Sequence, residues 1–225
     1  MADKYIPEYK SKLRHRIVKV PDSIYRASGI KIFEKRIKSF LFTTDIAIIN
    51  NTNADAILAV YPFTPTLEII SAVLETSSKP VFAGVGGGLT SGHRSTNIAI
   101  QAELMGCYGV LVNAPIPNET IREIADAIEI PLIATVISVK DDIKGKVDAG
   151  ADMINVSGGK DTTKLVKIIR DIAGPKFPIM ATGGPNDETI LKTIEAGANA
   201  ISYTPPTSGE IFHDVMADYR REKED

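Results

Sequence analysis

The sequence has few of the features on which disulfide-bonded, secreted and membrane proteins depend. Of its 225 residues, one is cysteine, three are histidine and none is tryptophan. The single cysteine, Cys107, excludes an internal disulfide, and its place between a predicted helix and a predicted strand indicates a buried thiol without a catalytic role. No run of about 18 apolar residues is present, and residues 1–5 lack the apolar core of a signal peptide. We therefore expect a cytoplasmic protein that does not enter a membrane.

Charge is balanced overall but unevenly distributed. The net charge is -2, yet residues 1–40 hold 11 Lys and Arg against 4 Asp and Glu, while the remainder holds 15 against 24. A basic stretch near the start contains Lys10, Arg14, His15, Arg16 and Lys19. Such a stretch either binds the phosphates of RNA or forms a solvated leader. We expect the leader, with nucleic acid as the less favoured partner.

A hidden repeat organises the chain. Four segments run from a glycine or asparagine through small and polar residues into an apolar strand, and they begin at Asn53, Gly106, Gly150 and Gly197. A second set places a proline before an apolar run, at Pro80, Pro131 and Pro178. Within each set the last three members recur at intervals of 44 to 51 residues. With an apolar run at 38–44, the two sets predict eight strands of alternating type.

Helical periodicity fills the gaps between several of these strands. Apolar positions recur at spacings of three and four in residues 65–75, 97–105, 119–128, 164–172 and 188–196. Strands alternating with helices predict a parallel sheet covered by helices. Repetition of a two-unit segment favours a single (β/α)8 barrel over the alternative, an open doubly wound sheet. We place the barrel at residues 39–225, after a basic leader at 1–38 with a helix around 30–39 that plugs the barrel.

The loops that follow the strands carry the candidate catalytic residues, because the active site of such a barrel lies there. Asp45 comes directly after the first strand, where it either faces the substrate or caps the following helix. His93 is the only histidine in these loops, and an imidazole titrates close enough to neutral pH to transfer protons. A surface role is the alternative for His93. We expect Asp45 and His93 to share the proton transfer.

Other residues in these loops are suited to bind a substrate. Arg94 can pair with an anionic group, and polar residues at the ends of even-numbered strands can orient hydroxyls, namely Asn113, Asn155, Ser157 and Thr204. Backbone amides at the last two loops can hold a phosphate, at Gly183, Gly184, Ser208 and Gly209. The alternative is that these residues only form a turn and cap a helix.

The sequence also bears on cofactors and partners. The third loop has five glycines but lacks the Lys-Ser or Lys-Thr pair of a Walker motif, so nucleotide hydrolysis of that type is excluded. The histidines are far apart in the sequence and no acidic pair shares a strand end, so we expect no metal and no cofactor. The expected partner is a small anionic metabolite, and self-association into a homo-oligomer is compatible with the sequence.

Residues 79–203 resemble the phosphate-binding (β/α)8 barrel superfamily, and within it the 2-keto-3-deoxy-6-phosphogluconate aldolases. The resemblance rests on the glycine-rich third strand, on residues 150–155 leading into strand six, and on residues 178–184 in strand seven. The sequence departs from that family at Asn155, where the resemblance places the Schiff-base lysine. Asparagine cannot form an imine, and the nearby Lys160 is expected to be solvated.

Residues 200–204 also resemble the last strand of glycerol-3-phosphate-responsive antiterminators, which implies a phospho-ligand sensor that binds RNA. Two functions therefore follow from the sequence. We expect an enzyme that acts on a small phosphorylated or carboxylated sugar-like metabolite, as a lyase, isomerase or hydrolase, by general acid-base catalysis. The alternative is a non-catalytic sensor whose basic leader binds RNA.

Overall fold

Eight parallel strands close into a barrel at the centre of the molecule. The computed structural model of the chain describes residues 5–9, 11, 13 and 16–224. A hairpin comes first, formed by β1 (Ile30–Ile32) and β2 (Lys35–Ile37). The barrel strands are β3 (Ser39–Phe42), β4 (Ala56–Ala59), β5 (Val81–Gly86), β6 (Gly109–Val112), β7 (Leu132–Val136), β8 (Met153–Val156), β9 (Ile179–Thr182) and β10 (Ala200–Tyr203). Strand β10 pairs with β3 and closes the ring.

Helices follow the barrel strands and cover them. They are α1 (Ile46–Asn50), α2 (Leu67–Thr76), α3 (His93–Leu104), α4 (Asn118–Ala125), α5 (Ile143–Asp148), α6 (Thr162–Ala173), α7 (Asp187–Glu195) and α8 (Ser208–Glu224). Short 3-10 helices span Asp22–Arg26 and Gly159–Asp161. The predicted single (β/α)8 barrel is confirmed, and the five segments with helical periodicity all lie on helices.

The sequence repeat has a structural cause at the amino ends of the strands. The polar residue of three repeat segments accepts hydrogen bonds from backbone amides at the start of the preceding strand. Asp55 accepts from Lys38 and Ser39, Asp152 accepts from Leu132, and Asn199 accepts from Ile179. Each polar side chain thus ties two consecutive barrel strands together, which explains why the repeat unit contains two strands.

The barrel interior changes from apolar to polar along its axis. Its lower layers contain Phe40 and Phe82, whose rings meet edge to face with centroids 5.0 Å apart, among other buried apolar side chains. Because side chains alternate between the two faces of a strand, the next inward positions towards the carboxyl ends include the polar residues Asn113, Thr135 and Asn155. An apolar core therefore supports a polar surface at the mouth.

The hairpin closes the amino end of the barrel. Ile30, Ile32 and Ile37 are buried against the interior cluster that includes Phe40 and Phe82, and β2 leads directly into β3. The predicted helix around residues 30–39 is wrong, although the predicted plug is present. A hairpin places three isoleucines on one face through the two-residue period of its strands, which suits a flat cover over a barrel end better than a helix does.

The hairpin turn predicts a stabilising substitution. Glu34 has φ of 66°, in the left-handed region that side chains other than glycine occupy at a cost. Glu34→Gly should raise the free energy of unfolding by up to about 1 kcal/mol, measured by urea denaturation. Glu34→Ala is the control, because it also removes the exposed ion pair with Lys31 but keeps the strained conformation. Equal stabilities of the two variants would contradict this interpretation.

The basic leader packs against the barrel from Val18 onwards. The amide of Val18 donates to the Asn51 carbonyl over 2.7 Å, and Val20 and Ile24 are buried. Arg16 is exposed, with its guanidinium 6.0 Å from the ring centroid of Tyr219. Of the predicted basic stretch, Lys10, Arg14 and His15 lie outside the described residues. None of the helices in the described part of the chain is both long and apolar enough to cross a membrane.

Candidate functional site

Three polar side chains from neighbouring strands form a chain of hydrogen bonds at the mouth of the barrel. Thr135 of β7 pairs in register with Asn155 of β8, and Asn155 Nδ2 donates to Thr135 Oγ1 over 3.2 Å. Thr135 Oγ1 in turn donates to Oδ1 of Asn113 over 3.5 Å. We call these three residues the polar floor. It links the sixth barrel strand to the end of the fourth.

One acceptor of the polar floor has no partner. Asn155 is 8% exposed. Among the described residues, its Oδ1 is the one buried side-chain oxygen or nitrogen that has no hydrogen-bond partner. Burying an unsatisfied amide oxygen costs about 1 to 3 kcal/mol. A ligand that brings a hydroxyl or another donor to this oxygen would recover that cost.

A cavity of about 340 Å³ adjoins the polar floor at Asn113. Gly84 and Gly86 of β5 line it, and Gly84 takes the inward position after Phe82, so no side chain of β5 fills this side of the upper barrel. A Cβ added at Gly86 would lie 2.2 Å from Oγ of Ser95. The glycines of the third loop therefore keep the cavity open and let β5 pack closely against the start of α3.

Asp45 begins α1 as its N-cap. Its Oδ1 accepts from the amides of Ala47 and Ile48, and its Oδ2 accepts from both the amide and the hydroxyl of Ser208. Burial raises the pKa of Asp45, but the hydrogen bonds from Ser208, Ile48 and Ala47 outweigh that effect and hold the pKa below its ordinary value. The carboxylate thus fixes the start of α8 against the start of α1.

The cap interactions predict how Asp45→Asn affects stability. The amide nitrogen cannot accept from Ser208, so the free energy of unfolding should fall by about 1 kcal/mol. Because the folded-state pKa is lowered, the contribution of Asp45 is complete above about pH 4 and disappears as the pH falls through the folded-state pKa. Urea denaturation should therefore show the two proteins converging in acid. A pH-independent difference, or an equal loss in the exposed control Glu119→Gln, would contradict the assignment.

His93 and Arg94 lie at the start of α3, after the glycine-rich loop. The His93 side chain is 95% exposed, and its Nδ1 lies 3.6 Å from Oε2 of Glu123 on α4. Arg94 is also exposed. Neither His93 nor Asp45 lines the cavity beside the polar floor, so the structure does not bring the two predicted catalytic residues together there.

The predicted phosphate-binding residues lie in the loops after the paired strands β9 and β10. Gly184 has φ of 84°, and Gly183 is buried against Ile190 and Ile201. At the start of α8, carboxylates already use the donors: Ser208 donates to Asp45, and the Thr207 amide donates to Glu210 over 2.7 Å. Gly209 is exposed beside them. A phosphate at Ser208 and Gly209 would have to compete with two negative charges.

The other predicted residues are placed as follows. Ser157 and Thr204 are exposed just beyond the ends of β8 and β10. Cys107 is buried, and burial raises the pKa of its thiol to about 12, in keeping with the prediction of an unreactive cysteine. Across the described residues, no group of three or more His, Cys, Asp or Glu side chains could hold a metal ion.

Sequence reasoning missed Thr135, the central member of the polar floor. Its signal was present, because a threonine two residues after Ile133 occupies an inward position in an otherwise apolar strand. It also missed Tyr61, Phe63 and Leu89, which line the cavity. Large side chains in the loops after β4 and β5 were the available signal.

Comparison with curated proteins gives one short match. No protein-family model matches the chain. A stretch of 60 residues is 42% identical to deoxyribose-phosphate aldolase 1 from Bacillus licheniformis, and the match covers 24% of this chain and 27% of that protein. The chain therefore matches about a quarter of the length of this relative.

Solved structures resemble the chain over much more of its length. A phosphonopyruvate hydrolase has a TM-score of 0.63 and 15% identity, covering 86% of this chain and 85% of that chain. The 4-hydroxy-tetrahydrodipicolinate synthase from Methylacidiphilum fumariolicum SolV has a TM-score of 0.59 and 16% identity, covering 74% of this chain and 67% of that chain. These similarities show that the fold is shared with barrel enzymes.

Proposed function

We propose that this chain is an enzyme that binds a small carboxylated or phosphorylated metabolite bearing a hydroxyl group at the mouth of the barrel. The reaction is that of a lyase, an isomerase or a hydrolase, by general acid-base catalysis. The metabolite sits above the polar floor, where Asn155, Thr135 and Asn113 meet the cavity. Its hydroxyl donates to Oδ1 of Asn155.

The unpaired Oδ1 of Asn155 carries this proposal. Buried polar groups in folded proteins are nearly always hydrogen-bonded, and exceptions concentrate at sites that bind or react. Oδ1 is an acceptor, so it selects a ligand with a donor and not a bare carboxylate or phosphate oxygen. The anionic group of the ligand must therefore lie elsewhere at the mouth.

The names of the similar proteins support the reaction class. They are an aldolase, a hydrolase and a synthase. The resemblance to 2-keto-3-deoxy-6-phosphogluconate aldolases places a lysine at the position of Asn155, and an asparagine there cannot attack a carbonyl. Lys160 is exposed in the following loop. We therefore propose proton transfer without an imine, and borohydride reduction with bound substrate should leave the protein mass unchanged.

We assign the anion to the loop at Gly183 and Gly184 in preference to Ser208 and Gly209, with the amide of Gly184 as its donor, because the amide of Gly183 already donates to the Ser202 carbonyl over 3.5 Å. The donors at the start of α8 serve Asp45 and Glu210, and their negative charge opposes a phosphate. This assignment has a direct test in Asp45→Asn, which removes one of the two charges. The affinity of Asp45→Asn for the ligand should stay within about threefold of the wild-type affinity. An affinity that is tenfold or more higher would indicate that the anion binds at Ser208.

A thermal-shift screen tests the proposal. Phosphorylated sugars and keto acids are each compared with their uncharged counterparts, since a ligand that binds the folded state raises the melting temperature. We expect stabilisation by compounds that have both an anionic group and a hydroxyl, and turnover of the best of them. Absence of stabilisation by any anionic compound contradicts the proposal, and stabilisation without turnover would instead indicate the sensor.

We propose His93 as the proton carrier, because Asp45 is held as a helix cap and His93 begins α3 directly after the glycine-rich loop, outside the lining of the cavity. We expect His93→Ala to reduce turnover of the compound found in the screen by at least about tenfold. The matched control is His213→Ala, which removes an exposed histidine of α8. Full activity of His93→Ala would exclude this residue from the reaction.

A further inference from the structure

The cavity beside the polar floor has uncharged walls. Its sides are the loops after β4 and β5, and Val60, Gly84 and Asn113 are among the residues at its base. No Asp, Glu, Lys, Arg or His is among the residues that line it. A cavity of about 340 Å³ without charge is large enough for an uncharged ring, because pockets for whole small ligands start near 300 Å³.

Four backbone donors of the glycine-rich loop are already in use. The amide of Gly87 donates to the Thr90 carbonyl and that of Gly88 to the Pro115 carbonyl, both over 2.8 Å. The amide of Thr90 donates back to Gly87, and that of Gly92 donates to Oγ1 of Thr120 over 3.0 Å. With these donors satisfied, the loop is not arranged as a phosphate cradle.

Two large apolar side chains stand at the rim of the same cavity. Phe63, in the loop after β4, is 77% exposed, and Leu89, at the tip of the glycine-rich loop, is fully exposed. Single exposed apolar residues need no explanation. Two that face one uncharged cavity, with Tyr61 beside them, provide apolar surface that a ligand in the cavity would cover.

We infer that this cavity binds the uncharged apolar or aromatic end of the ligand, between Phe63 and Leu89. Asn113 belongs to both the cavity and the polar floor. A ligand whose hydroxyl meets Asn155 therefore reaches the cavity with its other end. The inference deepens the proposed function and rests on it for the identity of the anionic end. It names an amphipathic substrate: an anion, a hydroxyl and an apolar substituent.

The first test uses benzyl alcohol, an uncharged probe, in saturation-transfer NMR with the full chain. We expect transfer to the phenyl protons with the wild type, and roughly tenfold weaker binding to a Phe63→Ser, Leu89→Ser double variant. Thr64→Trp, which places bulk at the cavity wall, should weaken binding as well. Leu104→Ser removes an equally exposed apolar side chain at the end of α3 and should bind like the wild type. No transfer with the wild type, or equal transfer with every variant, overturns the inference.

The second test separates the inference from the proposed function. Melting temperatures are compared in inorganic phosphate and in phenyl phosphate at equal concentration. We expect a larger increase with phenyl phosphate, and this advantage should be lost in the double variant. Equal increases overturn the inference that the cavity binds an apolar group, but they remain compatible with the anion site. No increase with either compound contradicts the anion site. The benzyl alcohol experiment then still decides whether the cavity binds an apolar group.

Discussion

Asn155→Leu is expected to make the protein more stable and nearly inactive. Leucine has the branched shape and the heavy-atom count of asparagine and removes the unpaired acceptor, while Thr135 Oγ1 keeps its hydrogen bond to Asn113, so the free energy of unfolding should rise by about 1 kcal/mol. The variant cannot accept a hydrogen bond from the ligand, so turnover of the compound found in the screen should fall by about a hundredfold or more. Urea denaturation and steady-state kinetics measure the two effects.

Asn199→Leu is the matched control for this prediction. Oδ1 of Asn199 accepts from both Ile179 and Arg170 at the amino ends of the strands. Leucine at this position removes the acceptor that these two donors share, so stability should fall while activity per folded molecule stays unchanged. If Asn155→Leu also lowers stability, the unpaired oxygen has a partner in solution and the argument for the site is lost.

Arg170→Met is expected to cause the largest loss of stability. The guanidinium donates to the carbonyls of Gly174, Phe177 and Gly197 and to Oδ1 of Asn199. Methionine keeps most of the packing but removes four charge-assisted hydrogen bonds. The free energy of unfolding should fall by roughly 3 kcal/mol, measured by urea denaturation at neutral pH.

Arg122→Met is the control for the Arg170 prediction, because Arg122 is exposed on α4. Its substitution should change stability by less than about 0.5 kcal/mol. A similarly small effect of Arg170→Met would mean that water replaces the guanidinium at these carbonyls. Arg170 would then not brace the amino ends of β9 and β10.

The barrel could be predicted because its repeat is visible in the sequence. The polar residues Asp55, Asp152 and Asn199 recur where each ties two strands together. The hairpin lacked such a signal. Its turn residues are Phe33 and Glu34, both with positive φ, although glycine or asparagine normally marks a turn of this kind. Without that mark, the end of the basic leader was predicted as a helix.

The candidate site was predictable only where it depends on strand alternation. Asn113 and Asn155 follow from inward positions at strand ends, and both belong to the polar floor. Whether an amide donor is free depends on contacts between distant loops. The partner of Gly88 is Pro115, and Ser208 meets Asp45 from the other end of the chain. Sequence alone therefore could not tell a phosphate cradle from a closed loop.

Catalytic roles were the hardest to predict for the same reason. The sequence predicted Asp45 directly after a strand, either facing the substrate or capping a helix, and the structure shows it as the cap of α1. What the sequence did not reveal is that Ser208 uses the remaining carboxylate oxygen. His93 followed from its location in a loop, and its exposure is set by how α3 packs beside α4.

A crystal structure of the complex with the stabilising compound is the decisive test of the proposed site. We predict a ligand at the carboxyl ends of the strands, with a hydroxyl within about 3.2 Å of Oδ1 of Asn155 and its apolar end between Phe63 and Leu89. A ligand bound elsewhere, for example in the groove between residues 16–19 and α8, with Asn155 untouched, would contradict the account.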